Sequence, residues 1–104
     1  MLSFNSMEVF MKKYALIWNN GKICTGEDWI IAKHFLKSKN LLLGIIRVND
    51  QLFYSTKNAH SSSWQTKGSI IDSGNRVLNR KAALSHFFLH FILPVQKGFR
   101  IITL

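Results

Sequence analysis

Leu41-Leu42-Leu43-Gly44-Ile45-Ile46-Arg47-Val48-Asn49-Asp50-Gln51-Leu52-Phe53-Tyr54-Ser55-Thr56 is the stretch on which the fold turns. Leu41 to Val48 is a short apolar run containing Ile45, Ile46 and Val48, so it reads as a buried strand. Asn49-Asp50 supplies a two-residue turn, and Gln51 to Thr56 returns as a second strand. The turn sets the register. Ile46 faces Phe53 on one side of the sheet, while Ile45 faces Tyr54 and Arg47 faces Leu52 on the other. One face is then mainly core, and the other mixes apolar and basic side chains.

Upstream, Tyr14-Ala15-Leu16-Ile17-Trp18 is rich in strand formers and runs into Asn19-Asn20-Gly21-Lys22, where Asn-Gly favours a tight hairpin turn. A return strand over Lys22 to Cys24 follows. Thr25 with Asp28 three residues later resembles a capping box, which predicts a helix from about Gly26 to Ser38. Trp29, Ile31, Ala32, Phe35 and Leu36 fall on one arc of that helix, and Lys33, His34, Lys37 and Glu27 on the other. Ile30 lies within the basic arc, as an ordinary exposed aliphatic or as the centre of a contact surface. Lys39-Asn40 closes the helix.

Downstream, Lys57 to Gly68 reads as a long polar loop with Trp64 near its middle. Trp64 either anchors this loop to the core or is held out for a partner such as a nucleobase. Ser69 to Ile71 is a short candidate strand, Asp72 to Asn75 a turn, and Arg76 to Leu78 a return. Asn79 then caps a second helix from about Arg80 to Leu93, stopped by Pro94, and Phe99 to Leu104 reads as a last strand.

The 104 residues fit one domain, with residues 1–10 as an accessory arm and 11–104 as the folded part. Met1, Met7 and Met11 can each be read as a start, and Met11-Lys12-Lys13-Tyr14 opens the folded part. The expected class is α+β: one antiparallel or mixed sheet of about five strands with two helices packed against it, in the order ββα, ββ, long loop, βαβ. An apolar fraction of 47% with eight Phe and three Trp is enough for a core.

Fourteen Lys and Arg against five Asp and Glu give a formal charge of +9, so polyanions are the natural partners. Cys24 is the one cysteine, which rules out an internal disulfide and paired-cysteine zinc sites, and a cytoplasmic setting is expected. Ala82 to Val95 is apolar but shorter than the roughly 20 residues that cross a bilayer, so no membrane partner is expected.

His86 and His90, four apart, could share a metal ion, yet no third ligand lies nearby and Cys24 or His34 would have to come from a distant element. No metal and no cofactor is therefore expected. Ser61 to Ser63 beside His60 lack the surroundings of a nucleophile, and the five acidic residues are scattered too widely for paired-carboxylate chemistry. A metal-free ribonuclease needs only a histidine such as His60, His34 or His86 and cations such as Lys57, Lys67 or Arg76, so that activity stays an alternative.

The expected function is non-catalytic binding of DNA or RNA, with Lys33, Lys37, Arg47, Lys57, His60, Trp64, Lys67 and Arg76 as the contacting residues. The rival from another class is a protein-interaction module, such as a small inhibitor by which a phage or other mobile element blocks a nucleic-acid enzyme, seeking a protein with an acidic surface. The second helix is apolar nearly all round. It is therefore central in its domain or shares a face with a second copy through Leu89 and Leu93.

Overall fold

The computed structural model describes residues 12–70 and 79–104. The proposed arm, the turn at 72–75, the return strand at 76–78 and the candidate site residue Arg76 lie outside them. Among the described residues six strands and two helices follow one another as β1 (Lys13–Trp18), β2 (Ile23–Glu27), α1 (Asp28–Ser38), β3 (Leu41–Val48), β4 (Gln51–Asn58), β5 (Gln65–Ile70), α2 (Arg80–Phe87) and β6 (Phe99–Thr103). The class is α+β, as expected. The strands nevertheless form two antiparallel sheets of three, ordered β2-β1-β6 and β3-β4-β5, in place of one sheet of about five.

The physical reason lies in the second helix. A helix with one narrow apolar stripe covers one sheet, whereas α2 and its continuation have an apolar arc wide enough to meet two, with Phe88 about a quarter turn from Phe87. Phe88 meets Tyr14 of the first sheet edge to face, at 4.8 Å between ring centroids. Phe87 and Phe91 meet Tyr54 of the second sheet at 5.4 and 5.3 Å. The helix layer thus lies between the sheets, and Phe88 and Ile92 are almost completely buried. Residues Phe88–Ile92 continue α2 as a π-helical turn. Leu93, in the half of the helix assigned to a second copy, packs against the core, while Leu89 is exposed.

The β3–β4 hairpin has the register expected from its turn: Ile46 pairs with Phe53, Ile45 with Tyr54 and Arg47 with Leu52. Asn49 and Asp50 both take positive φ, as this two-residue turn demands. Tyr54 is fully buried, and its hydroxyl donates to the Ala83 carbonyl at 3.1 Å, tying the sheet to α2. In the first hairpin, Gly21 alone takes positive φ, and its N–H donates to the Trp18 carbonyl.

Three boundaries differ from expectation. Helix α1 starts at Asp28, because Thr25 and Gly26 pair with Ala15 and Tyr14 and extend β2 to Glu27. Glu27 is the cap residue but makes no side-chain cap, so the capping box at Thr25 does not form. Asp28 instead accepts from the Trp29 N–H at 2.7 Å and from the Ser85 hydroxyl at 2.8 Å, joining the two helices. The loop at 57–68 is also much shorter than expected. Strand β4 runs on to Asn58 and β5 begins at Gln65, so the connection is Ala59 to Trp64. Strand β5 includes Ser69 and Ile70 of the expected short strand, but it begins four residues earlier, in an exposed polar stretch that only pairing with β4 reveals as a strand. Asn79 does cap α2, its side chain accepting from the Ala82 N–H.

Candidate nucleic-acid interface

Alternation along β3 and β4 sends Leu43, Ile45, Tyr54 and Thr56 towards the helices and Leu42, Gly44, Ser55 and Lys57 to the outer face. Trp64 lies on this outer face. A β-carbon at Gly44 would stand 3.2 Å from Cζ3 of the indole, so the absence of a side chain there lets the ring settle on the strand. Ser55, opposite Gly44, is 1% exposed, and its hydroxyl donates to the Gln65 carbonyl beside Trp64. The Lys57 ammonium stands 5.7 Å from the indole centroid, within cation–π range. Trp64 keeps 49% of its surface exposed. It is therefore neither a buried anchor nor a free side chain, but an aromatic held in place with much of its surface open.

The turn that carries it is ordered by its own polar atoms. The Asn58 side chain accepts from the His60 N–H at 3.0 Å, the Ser61 hydroxyl accepts from the Ser63 N–H at 3.1 Å, and the Ala59 N–H donates to the Asn40 carbonyl at 2.9 Å. The last bond ties the turn to the end of α1. The serines that made this segment look like a loose loop are what fix its shape.

Beside Trp64 a groove of about 760 Å³ follows the edge of β3, which among the described residues has no strand beyond it in its sheet. Its floor comes from Leu36, Leu43, Ala83 and Leu84, and Lys33, Lys37, Arg80 and Trp64 also line it. Lys33 and Lys37 are one turn apart on α1 and both exposed, as the helical arcs predict. Ile30, between Lys37 and His34 in the helical projection, packs its side chain against Gly26.

Of the residues expected to act together, Lys33, Lys37 and Trp64 share this groove, with Lys57 against the indole. Arg47 is exposed near the far end of β3 and does not line it. His60 is exposed in the turn, outside the groove. Lys67 lines a different hollow with Thr56 and Phe91 and is not Trp64's second bracket. Arg80 was missed by reasoning from sequence. The signal for it was an electrostatic misfit: Arg80 and Lys81 occupy the first turn of α2, which contains no acidic residue, although cations are disfavoured at that end of a helix. Lys81 stacks over Trp29, with 5.1 Å to the ring centroid, and Arg80 faces the groove.

The groups that could support catalysis do not converge in this way. Burial, and His90 second, lower the His86 pKa from its usual value, and its Nδ1 atom is buried with no hydrogen-bond partner among the described residues. The two imidazoles stand 4.2 Å apart between centroids. Among the described residues no group of three or more His, Cys, Asp or Glu could hold a metal ion. Burial raises the Cys24 pKa, which keeps it a thiol and not an activated nucleophile. No helix among the described residues is long and apolar enough to cross a membrane. Comparison with protein-family models, curated proteins and solved structures gives no match.

Proposed function

We propose that this small basic α+β domain binds single-stranded DNA or RNA without cutting it, in a cytoplasmic setting. The observation that carries this reading is Trp64, held on Gly44 with about half its surface open, beside a groove lined by Lys33, Lys37 and Arg80. A base stacks on the indole, and the cations meet the phosphates on either side. The α2 N-terminus beside Arg80 adds the positive end of a helix dipole to the same field. A duplex is a poorer fit, because its bases are already stacked and offer no free face to an indole.

Fluorescence anisotropy with a labelled oligothymidylate across a series of salt concentrations tests the proposal. Four phosphate contacts, by Lys33, Lys37, Lys57 and Arg80, predict a log–log salt slope of about −3. The paired change Lys33→Gln and Lys37→Gln reduces that slope by about 1.4. No binding at low salt, or a slope unchanged in the double variant, refutes the site.

A protein-interaction role, as in a small inhibitor from a mobile element, is favoured by one feature, the open edge of β3 in the groove. An extended peptide could add a strand there. Oligonucleotide binding that fails at low salt while an acidic protein is retained favours this second reading.

A further inference from the structure

A second hollow, of about 320 Å³, lies across the β3–β4–β5 sheet from Trp64, where Thr56 and Phe91 help to form its wall. Three lysines line it, from three parts of the chain: Lys39 at the end of α1, Lys67 on β5 and Lys97 before β6. Among the described residues no acidic side chain lines it, and Thr56 supplies the one other polar side chain. The rest of the lining is aliphatic or aromatic. The aromatic wall is fixed in position by close approach. A β-carbon at Gly68 would collide with Cε1 of Phe91, so the ring rests on the β5 backbone directly beside Lys67.

Three lysines around one apolar hollow fit a ligand that has both features, with the Lys39 ammonium held 5.3 Å from the neighbouring Phe99 ring centroid, and neither half of the site explains the other. Lysines serving solubility alone have no reason to gather on one hollow from separate elements, and an apolar ligand alone gains nothing from them. We propose that this hollow is a binding site for a small amphipathic anion, with a carboxylate or phosphate head at Lys39, Lys67 and Lys97 and an acyl or aryl body against Phe87 and Phe91. Its volume, at the small end of ligand pockets, leaves room for a body on the order of ten carbon atoms. The site shares only Leu41 with the Trp64 groove, none of its three lysines lines that groove, and it does not depend on nucleic-acid binding.

Isothermal titration of the full chain with decanoate, decyl phosphate and decanol tests this. One saturable site for an anionic amphiphile is expected, with decanol at least about tenfold weaker because it lacks the charge-assisted contacts. The ratio of decanoate to decyl phosphate affinity tells which head the lysines prefer. The triple variant Lys39→Gln, Lys67→Gln, Lys97→Gln should lose at least about tenfold in anion affinity while its circular dichroism stays native. Lys22→Gln, at a lysine that does not line the hollow, should not change it.

Three results overturn the proposal: no saturable heat with either anion, equal binding of decanol, or a folded triple variant with unchanged affinity. Displacement of the bound anion by excess oligothymidylate also overturns it, since the lysines would then belong to the nucleic-acid surface. Failure here with salt-dependent oligonucleotide binding intact leaves the Trp64 reading standing.

Discussion

Tyr54 and Trp64 sit on opposite faces of one sheet, and their surroundings assign them opposite tasks. Tyr54 is fully buried among Phe87, Phe91 and His86, its hydroxyl bonded to α2, and burial raises its pKa far above the usual tyrosine value. Trp64 rests on a glycine, with a lysine against its ring and half its surface open. The difference teaches that a large aromatic is assigned to the core or to a partner by what completes its contacts. Tyr54 is completed by the fold, whereas Trp64 is not.

The comparison can be broken most severely by truncation. Tyr54→Ala should cost about 3–5 kcal/mol in urea unfolding, while Trp64→Ala costs less than about 1 kcal/mol yet loses about 1–3 kcal/mol of oligonucleotide affinity. Equal stability losses for the two would erase the distinction.

The glycines beneath the two faces offer a milder version. Gly68→Ala drives a methyl into Phe91 inside the fold and should cost about 1–3 kcal/mol. Gly44→Ala meets only the edge of the Trp64 indole at 3.2 Å, so it should cost under about 1 kcal/mol and weaken oligonucleotide binding by lifting the ring. Thermal melts beside anisotropy titrations read both effects. Removing only the hydroxyl, Tyr54→Phe, should cost about 1 kcal/mol in the same melts.

The smallest effect is a pH dependence on the buried side. Because burial and then His90 hold the His86 pKa below 6.5, the unfolded chain takes up a proton before the folded one does. Stability is therefore full above pH 6.5 and falls as pH drops from there towards the folded-state pKa. His86→Gln should flatten the pH profile of the melting temperature in that window, and an unchanged profile would contradict the burial of this imidazole.

How far these assignments were legible depended on how local their causes are. The β3–β4 register, the Asn79 cap and the two arcs of α1 follow from neighbouring residues, and the structure repeats them. The start of α1 was misread because Thr25 and Gly26 are drawn into pairing with β1, which outweighs a local cap. Only the end of β5 is legible, in the candidate strand that begins at Ser69; Gln65, Thr66 and Lys67 have no apolar alternation and form a strand because β4 offers an edge. The division into two sheets was hinted at by an all-round apolar helix but required knowing what each side meets. At the site, Lys33, Lys37 and Trp64 were chosen for charge and aromaticity, and their meeting at one groove is a tertiary fact no spacing contains. The same fact sets Lys67 apart from Trp64 and brings in Arg80.

Tryptophan fluorescence during titration with unlabelled oligothymidylate tests the central claim most directly, comparing the native chain with Trp64→Phe. Trp18 and Trp29 pack against the core, so stacking on Trp64 predicts saturable quenching in the native chain that disappears in the variant. Equal quenching in both, or none in either, would contradict the claim that Trp64 is held open for a base.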